Sequence, residues 1–237
     1  GDGMQLTGSL FANMSAIYGN GLSTFPDYPA EIRAPKGTVA GVSGFQVHIG
    51  DHKVCTPGDF CDMLVAMNPA ALKANAKWLK RTAMVLVNED AFDETGMKKA
   101  GFSGNPFEEL HIEDRTILCA PITTLTEDSL KDSGLDVVSV HKCKNMFTLG
   151  MACFIYDRPI EYVYNYIESK FRKKHPEMIA PNKKVVFDGY NYASNIQAVP
   201  NTYHVAPAKL EKGTYRNITG NQAAAWGLIA AAEKAHL

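Results

Sequence analysis

Residues 60–87, FCDMLVAMNPAALKANAKWLKRTAMVLV, decide the fold. Two apolar runs, 60–67 and 83–87, are of the kind that strands buried on both faces of a parallel sheet show. Between them Asn68 and Pro69 stand as N-cap and first helical residue. Leu72, Ala76 and Leu79 then predict a helix over 70–80 with one apolar face. Strand, helix and strand make a βαβ unit, for which a right-handed crossover is expected. Residues 116–120, TILCA, read as a third apolar strand closed by Pro121. Thr123 or Thr126 is placed to cap a short helix carrying Leu125 and Leu130, with Gly134 as its stop. Asn88, Glu89 and Asp90 fall at the carboxyl end of the second strand, where open α/β sheets place ligands. The same residues also suit a plain loop start. Residues 92–115 are polar and turn-rich, and read as a surface excursion.

Upstream, Leu6, Leu10, Met14, Ile17 and Tyr18 recur at helical spacing, so 4–18 reads as a helix buried on one face, with Gly19 as C-cap. Gly1 and Gly3 ahead of it would let backbone N–H groups approach an anion, whose charge a helix N-terminus favours. An ordinary tight turn fits them equally. Leu22–Phe25 reads as a short strand, and 26–35 as a loop stiffened by Pro26, Pro29 and Pro35 that presents Glu31 and Arg33. Either the two pair with each other, or they position a ligand. Gly37, Gly41 and Gly44 then space a strand that ends in the alternation Phe45, Val47, Ile49.

Residues 143–156 read as an apolar helix with Lys144 and Asn145 as a capping polar pair at its start. Residues 160–173 form a second helix, with Tyr162, Tyr166, Ile167 and Phe171 buried and a cationic end that complements the helix dipole. A short helix over 182–192 is expected to break at Gly189. Residues 194–213 carry little periodic signal and read as an interdomain linker. From Gly220 a helical run, AAAWGLIAAAEKAHL, reads as the first helix of another domain. Both ends read as truncated, because a glycine loop opening a helix normally follows a strand and the last helix stops without a cap.

The totals restrict function. With 24 Lys and Arg against 25 Asp and Glu the formal charge is −1, which leaves no electrostatic footprint for nucleic acid or an anionic membrane. The five cysteines are odd in number and show no CxxC, so reduced thiols of a cytoplasmic protein are expected rather than a disulfide framework or a cluster. The seven histidines show no metal-ligand spacing, and no metal site or catalytic motif stands out. No apolar run reaches the roughly 18 residues that a membrane span needs.

GDGMQLTG, DYPAEIRAP, GVSGFQVHIG, DMLVAMNPAAL, KNMFTLG and GNQAAAWGLIAAAEKA occur in an order that resembles the N-terminal gamma domain of the α-subunit of 2-oxoacid:ferredoxin oxidoreductases, and most closely the 2-oxoglutarate branch. The resemblance implies an α/β, Rossmann-like open sheet with flanking helices. It implies a gamma domain over 1–193, a linker over 194–219 and the start of a pyrimidine-binding domain over 220–237. It implies oxidative decarboxylation of 2-oxoglutarate to succinyl-CoA by a complex with a β-subunit, with electrons passed to ferredoxin. Thiamine diphosphate, Mg²⁺ and a [4Fe-4S] cluster would lie mostly outside this chain. The gamma domain's implied part is to cover the active site and help bind coenzyme A. By the same resemblance, Gly1, Asp2, Gly3 and Gln5 match the family's glycine loop, with Asp2 and Met4 departing from its glycine-rich form. Glu31 and Arg33 match a loop in which Ala34 and Pro35 replace two glycines. Arg33 would hold a carboxylate or phosphate, with Glu31 fixing its orientation. Pyruvate or a branched-chain 2-oxoacid as substrate, a stand-alone nucleotide or coenzyme A module, and a purely structural subunit stay open as alternatives.

Overall fold

The structure, a computed structural model, describes residues 2–28, 42–200 and 202–236. Its centre is a parallel sheet of three strands in the order β3 (Cys61–Ala66), β4 (Leu79–Asn88), β5 (Thr116–Ala120). Met63 to Ala66 pair with Met84 to Val87, and Met84 to Asn88 with Thr116 to Ala120. In β4 every residue from Ala83 to Asn88 is buried. Both faces are therefore covered: Ala83, Val85 and Val87 pack with Leu72 and Ala76 on one side, and Leu86 joins the larger core on the other.

The connection from β3 to β4 differs from the periodicity. The helix α2 (Pro69–Asn75) is capped by Asn68, whose side chain accepts from Ala71 N at 2.8 Å, and it ends before a 3-10 turn over Ala76–Trp78. Leu79 and Lys80, expected at the end of the helix, open β4 instead. The polar excursion after β4 holds two short helices, α3 (Glu94–Lys99) and α4 (Pro106–Glu109). Their caps are Asp93, which accepts from Gly96 N, and Asn105, which accepts from Phe107 N.

The second face of the sheet is covered by α5 (Ile122–Leu130), α6 (Val137–Ile155), α7 (Glu161–Phe171) and α8 (Ile179–Asn195). No side chain caps α5 from Pro121, and Thr126 is buried inside that helix. In α7 the fully buried residues are Val163 and Ile167, while Tyr162, Tyr166 and Phe171 pack around them partly exposed. Gly189 does not break α8. A Cβ at Gly189 would fall 2.1 Å from Phe147 O, and one at Gly150 would fall 2.1 Å from Val186 O. The two glycines let the backbones of α6 and α8 touch, which no larger residue permits.

At the start of the chain, α1 (Asp2–Tyr18) packs on α6 and on an antiparallel pair, β1 (Gly21–Asp27) with β2 (Gly44–Gly50), in register from Gly21 opposite Gly50 to Asp27 opposite Gly44. Pro26, expected in the loop, lies in β1. Residues 202–219 form no helix or strand and lead to α9 (Gly220–Lys234), which opens with a capping box of Thr219 and Gln222. Trp226, Leu228 and Ile229 on α9 are exposed. Among the described residues no helix is long and apolar enough to cross a membrane.

Candidate functional site

Between the β1–β2 pair and the sheet edge at β3 lies a half-open cleft of about 1780 Å³. Consecutive residues of β2, Gly44 to Ile49, and of β3, Cys61 to Val65, line it. Successive side chains of a strand point to opposite faces, so the cleft abuts strand edges rather than faces. Its floor is made by α1 and α6, and Trp78, close to Phe60, stands at its rim, 43 % exposed.

Of the site residues that sequence singles out, Gly3 lines this cleft, whereas Gln5 lines a separate cavity of about 630 Å³ bordered by α1, β1 and residues 217–222. Gly3 in the first turn of α1 meets Asn145: a Cβ there would sit 2.3 Å from Asn145 Nδ2. Gln5 Nε2 lies 3.1 Å from Asp27 O, 3.0 Å from Ser43 Oγ and 2.8 Å from Gly44 O. Those three acceptors stand at the two feet of the connection from β1 to β2, the connection that carries Glu31 and Arg33. Gln5 therefore ties the end of β1 and the start of β2 to α1, which is a positioning task its sequence match does not reveal. Gln5 Oε1 is buried with no partner among the described residues. Glu31, Arg33 and Gly1 lie outside the described residues, and Asp2 opens α1.

Lys144 and Asn145 are corrected by the structure. They do not start a helix; α6 begins seven residues before Lys144, at Val137, where Asp136 accepts from Ser139 N at 2.8 Å. The Asp-x-x-Ser spacing was the available signal for that start. Lys144 and Asn145 thus sit mid-helix, half-buried, and line the cleft beside Gly3, Thr7 and Thr148. None of the ion pairs among the described residues includes Lys144. Asn145 lies beside Gly3 in the first turn of the 17-residue α1, Lys144 lines the same cleft, and a lysine, an amide N–H₂ and a helix N-terminus each favour a negative group.

The carboxyl end of β4 has another task. Asn88 Nδ2 donates to Thr123 Oγ1 at 3.1 Å, and Asp90 accepts from Thr124 N at 2.9 Å and from Thr124 Oγ1 at 2.8 Å. These side chains supply the cap that Pro121 lacks, so the start of α5 takes up Asn88 and Asp90.

Four of the five thiols, Cys61, Cys119, Cys143 and Cys153, are poor nucleophiles. Burial pushes Cys143 up to about 11 and Cys153 to about 12, and raises Cys61 and Cys119 as well. Burial also holds the Tyr156 phenol, on the cleft wall, protonated well above its ordinary range. Among the described residues no three His, Cys, Asp or Glu side chains come together as metal ligands. The described residues therefore do not fit Mg²⁺ or an iron–sulfur cluster.

A parallel three-stranded sheet flanked by helices, with an open cleft at its β3 edge, defines an α/β unit. Residues 1–192 match the pyruvate ferredoxin/flavodoxin oxidoreductase family, and the chain belongs to it. Over all 237 residues it is 44% identical to the 2-oxoglutarate oxidoreductase subunit KorA of Mycobacterium tuberculosis, of which it covers 36%. The chain thus spans about a third of that relative. Its fold is like that of 2-oxoglutarate:ferredoxin oxidoreductase from Magnetococcus marinus, a structure with 2-oxoglutarate, coenzyme A and succinyl-CoA bound. The TM-score is 0.61 at 21% identity, covering 86% of this chain and 31% of that one. Pyruvate oxidoreductase subunit PORC from Thermotoga maritima has a TM-score of 0.51 at 22% identity, with 81% and 90% covered. At these identities the two structures speak to the fold alone.

Proposed function

We propose that this chain is part of the α-subunit of a 2-oxoglutarate:ferredoxin oxidoreductase, which converts 2-oxoglutarate and coenzyme A to succinyl-CoA in a complex with a β-subunit. The observation that carries the reading is the 44% identity to KorA along the whole chain. Residues 1–193 act as the gamma domain, 194–219 as the linker, and 220–237 open the pyrimidine-binding domain. Thiamine diphosphate, Mg²⁺ and the [4Fe-4S] cluster supply decarboxylation and electron transfer from other parts of the complex.

The part of this chain is binding. Coenzyme A and 2-oxoacids are anionic, and the cleft end formed by Gly3, Lys144 and Asn145 favours such a group. Lys144 acts as a point charge and Asn145 as a donor beside the helix N-terminus. By the family resemblance, Glu31 and Arg33 take part in binding at the substrate entrance rather than in bond breaking.

Steady-state kinetics of the complete complex with 2-oxoglutarate, pyruvate and 2-oxoisovalerate, plus coenzyme A and a viologen acceptor, test the reading. The highest kcat/KM is expected with 2-oxoglutarate. Equal or better turnover of pyruvate overturns the substrate assignment.

A further inference from the structure

We propose that Asn20 and Arg158 form a latch that holds residues 203–209 against the body and so fixes the direction in which the chain runs on to α9. The inference stands on geometry alone and does not depend on the function proposed above. Residues 203–209 are exposed except for Val205 and Ala208, which are half-exposed, so little apolar burial holds them down. Polar bonds do so instead. Tyr203 N donates to Ile155 O at 2.7 Å, Ala208 N to Gly19 O at 2.8 Å and Lys209 N to Asp51 O at 3.2 Å. Asn20 Nδ2 donates to Val205 O at 3.1 Å and to Ala206 O at 2.7 Å.

The amide of Asn20 can point only one way. Its Oδ1 accepts from Arg158 Nη2 at 2.7 Å, and a guanidinium offers donors only. Its Nδ2 is thereby aimed at the two carbonyls, which accept only. Arg158 is a positioning residue for this contact. It is 1 % exposed, its guanidinium lies 4.2 Å from the centre of the Tyr18 ring, and Nη2 also reaches Val205 O at 3.4 Å. Its Nε and Nη1 have no partner among the described residues, and no carboxylate among them forms an ion pair with it. A buried cation held by a ring and neutral oxygens is costly to keep dry. Opening the strap hydrates it, so the closed strap is held with little surplus and depends on Asn20.

Asn20→Asp separates the latch from general stability. The new carboxylate gives Arg158 a charged partner, which favours the body. Its second oxygen replaces a donor with an acceptor facing Val205 O and Ala206 O, which releases the strap. Hydrogen exchange of the full-length protein reads both. The amides of Tyr203, Ala208 and Lys209 are expected to exchange at least tenfold faster, with those of residues 83–87 in β4 unchanged. Arg158→Lys, which keeps a cation but loses the planar fork, is the second arm and decides alone should the first variant fail to fold. The same three amides are expected to quicken by a smaller factor. Unchanged strap amides, or β4 amides that quicken in step with them, overturn the latch.

Discussion

Two sides of α6 carry opposite designs. Toward α8, Gly150 and the facing Gly189 remove side chains altogether, and each backbone rests against a carbonyl of the other helix. Toward the cleft, Lys144 and Asn145 stay polar and half-buried on a helix that is buried at every residue from Met146 to Met151. The seam fixes the backbone, and the fixed backbone aims the polar pair. A side chain mounted on a locked helix needs no further ordering when a ligand arrives, which is the advantage of building sites on rigid elements.

The sharpest way to break this comparison is Gly150→Ala. Alanine favours a helix over glycine by about 1 kcal/mol, but its Cβ would overlap Val186 O, and overpacking of this kind costs about 3 kcal/mol. The overlap dominates, so urea unfolding of the full-length protein is expected to show a net loss of roughly 2 kcal/mol. A neutral result would mean that the helices slide apart freely and that the seam does not position Lys144.

On the cleft side, Lys144→Ala is expected to raise the KM for coenzyme A about tenfold, the equivalent of about 1.4 kcal/mol, with kcat and the unfolding midpoint little changed. An unchanged KM separates the cleft from coenzyme A. Arg33→Ala in the complete enzyme is expected to raise the KM for 2-oxoglutarate or coenzyme A by a smaller factor without unfolding the domain. If both constants stay the same, Arg33 has no part in the entrance.

The smallest expected effect concerns the buried thiols of the same helix. The folded state raises Cys143 and Cys153 to about 11 and about 12. Their neutral forms therefore stabilise the fold fully below the unfolded thiol value near 9, and this contribution is lost as pH rises from there toward about 11 for Cys143 and about 12 for Cys153. The urea midpoint should fall over that window, and Cys143→Ala should shrink the fall. Iodoacetamide at pH 8 should label exposed Cys55 before either buried thiol.

Much of this was legible locally. The apolar runs at 60–67, 83–87 and 116–120 and the pair Asn68–Pro69 announced strands and a helix start, because burial on both faces and capping are written in adjacent residues. What was not legible depends on partners far away in sequence. Gly189 reads as a breaker until Phe147 O is seen against it. Lys144 and Asn145 read as a helix start because Val137, Val138, Ser139 and Val140 ahead of them are weak helix formers and hide the cap at Asp136. Gln5 was singled out by motif, but its bonds to Asp27, Ser43 and Gly44 require the strand pair. The positions of Glu31 and Arg33 fall outside the described residues, so their assignment still rests on the sequence.

The chain has two tryptophans, and they stand in different places: Trp78 at the rim of the cleft and Trp226 on the exposed face of α9. Each is about half in water, so each indole's emission responds to whatever covers it. Trp226→Phe leaves a protein whose fluorescence reports occupancy of the cleft, and Trp78→Phe one that reports the burial of α9. The two indoles thus give separate optical probes for ligand entry and for the covering of α9, with no label added.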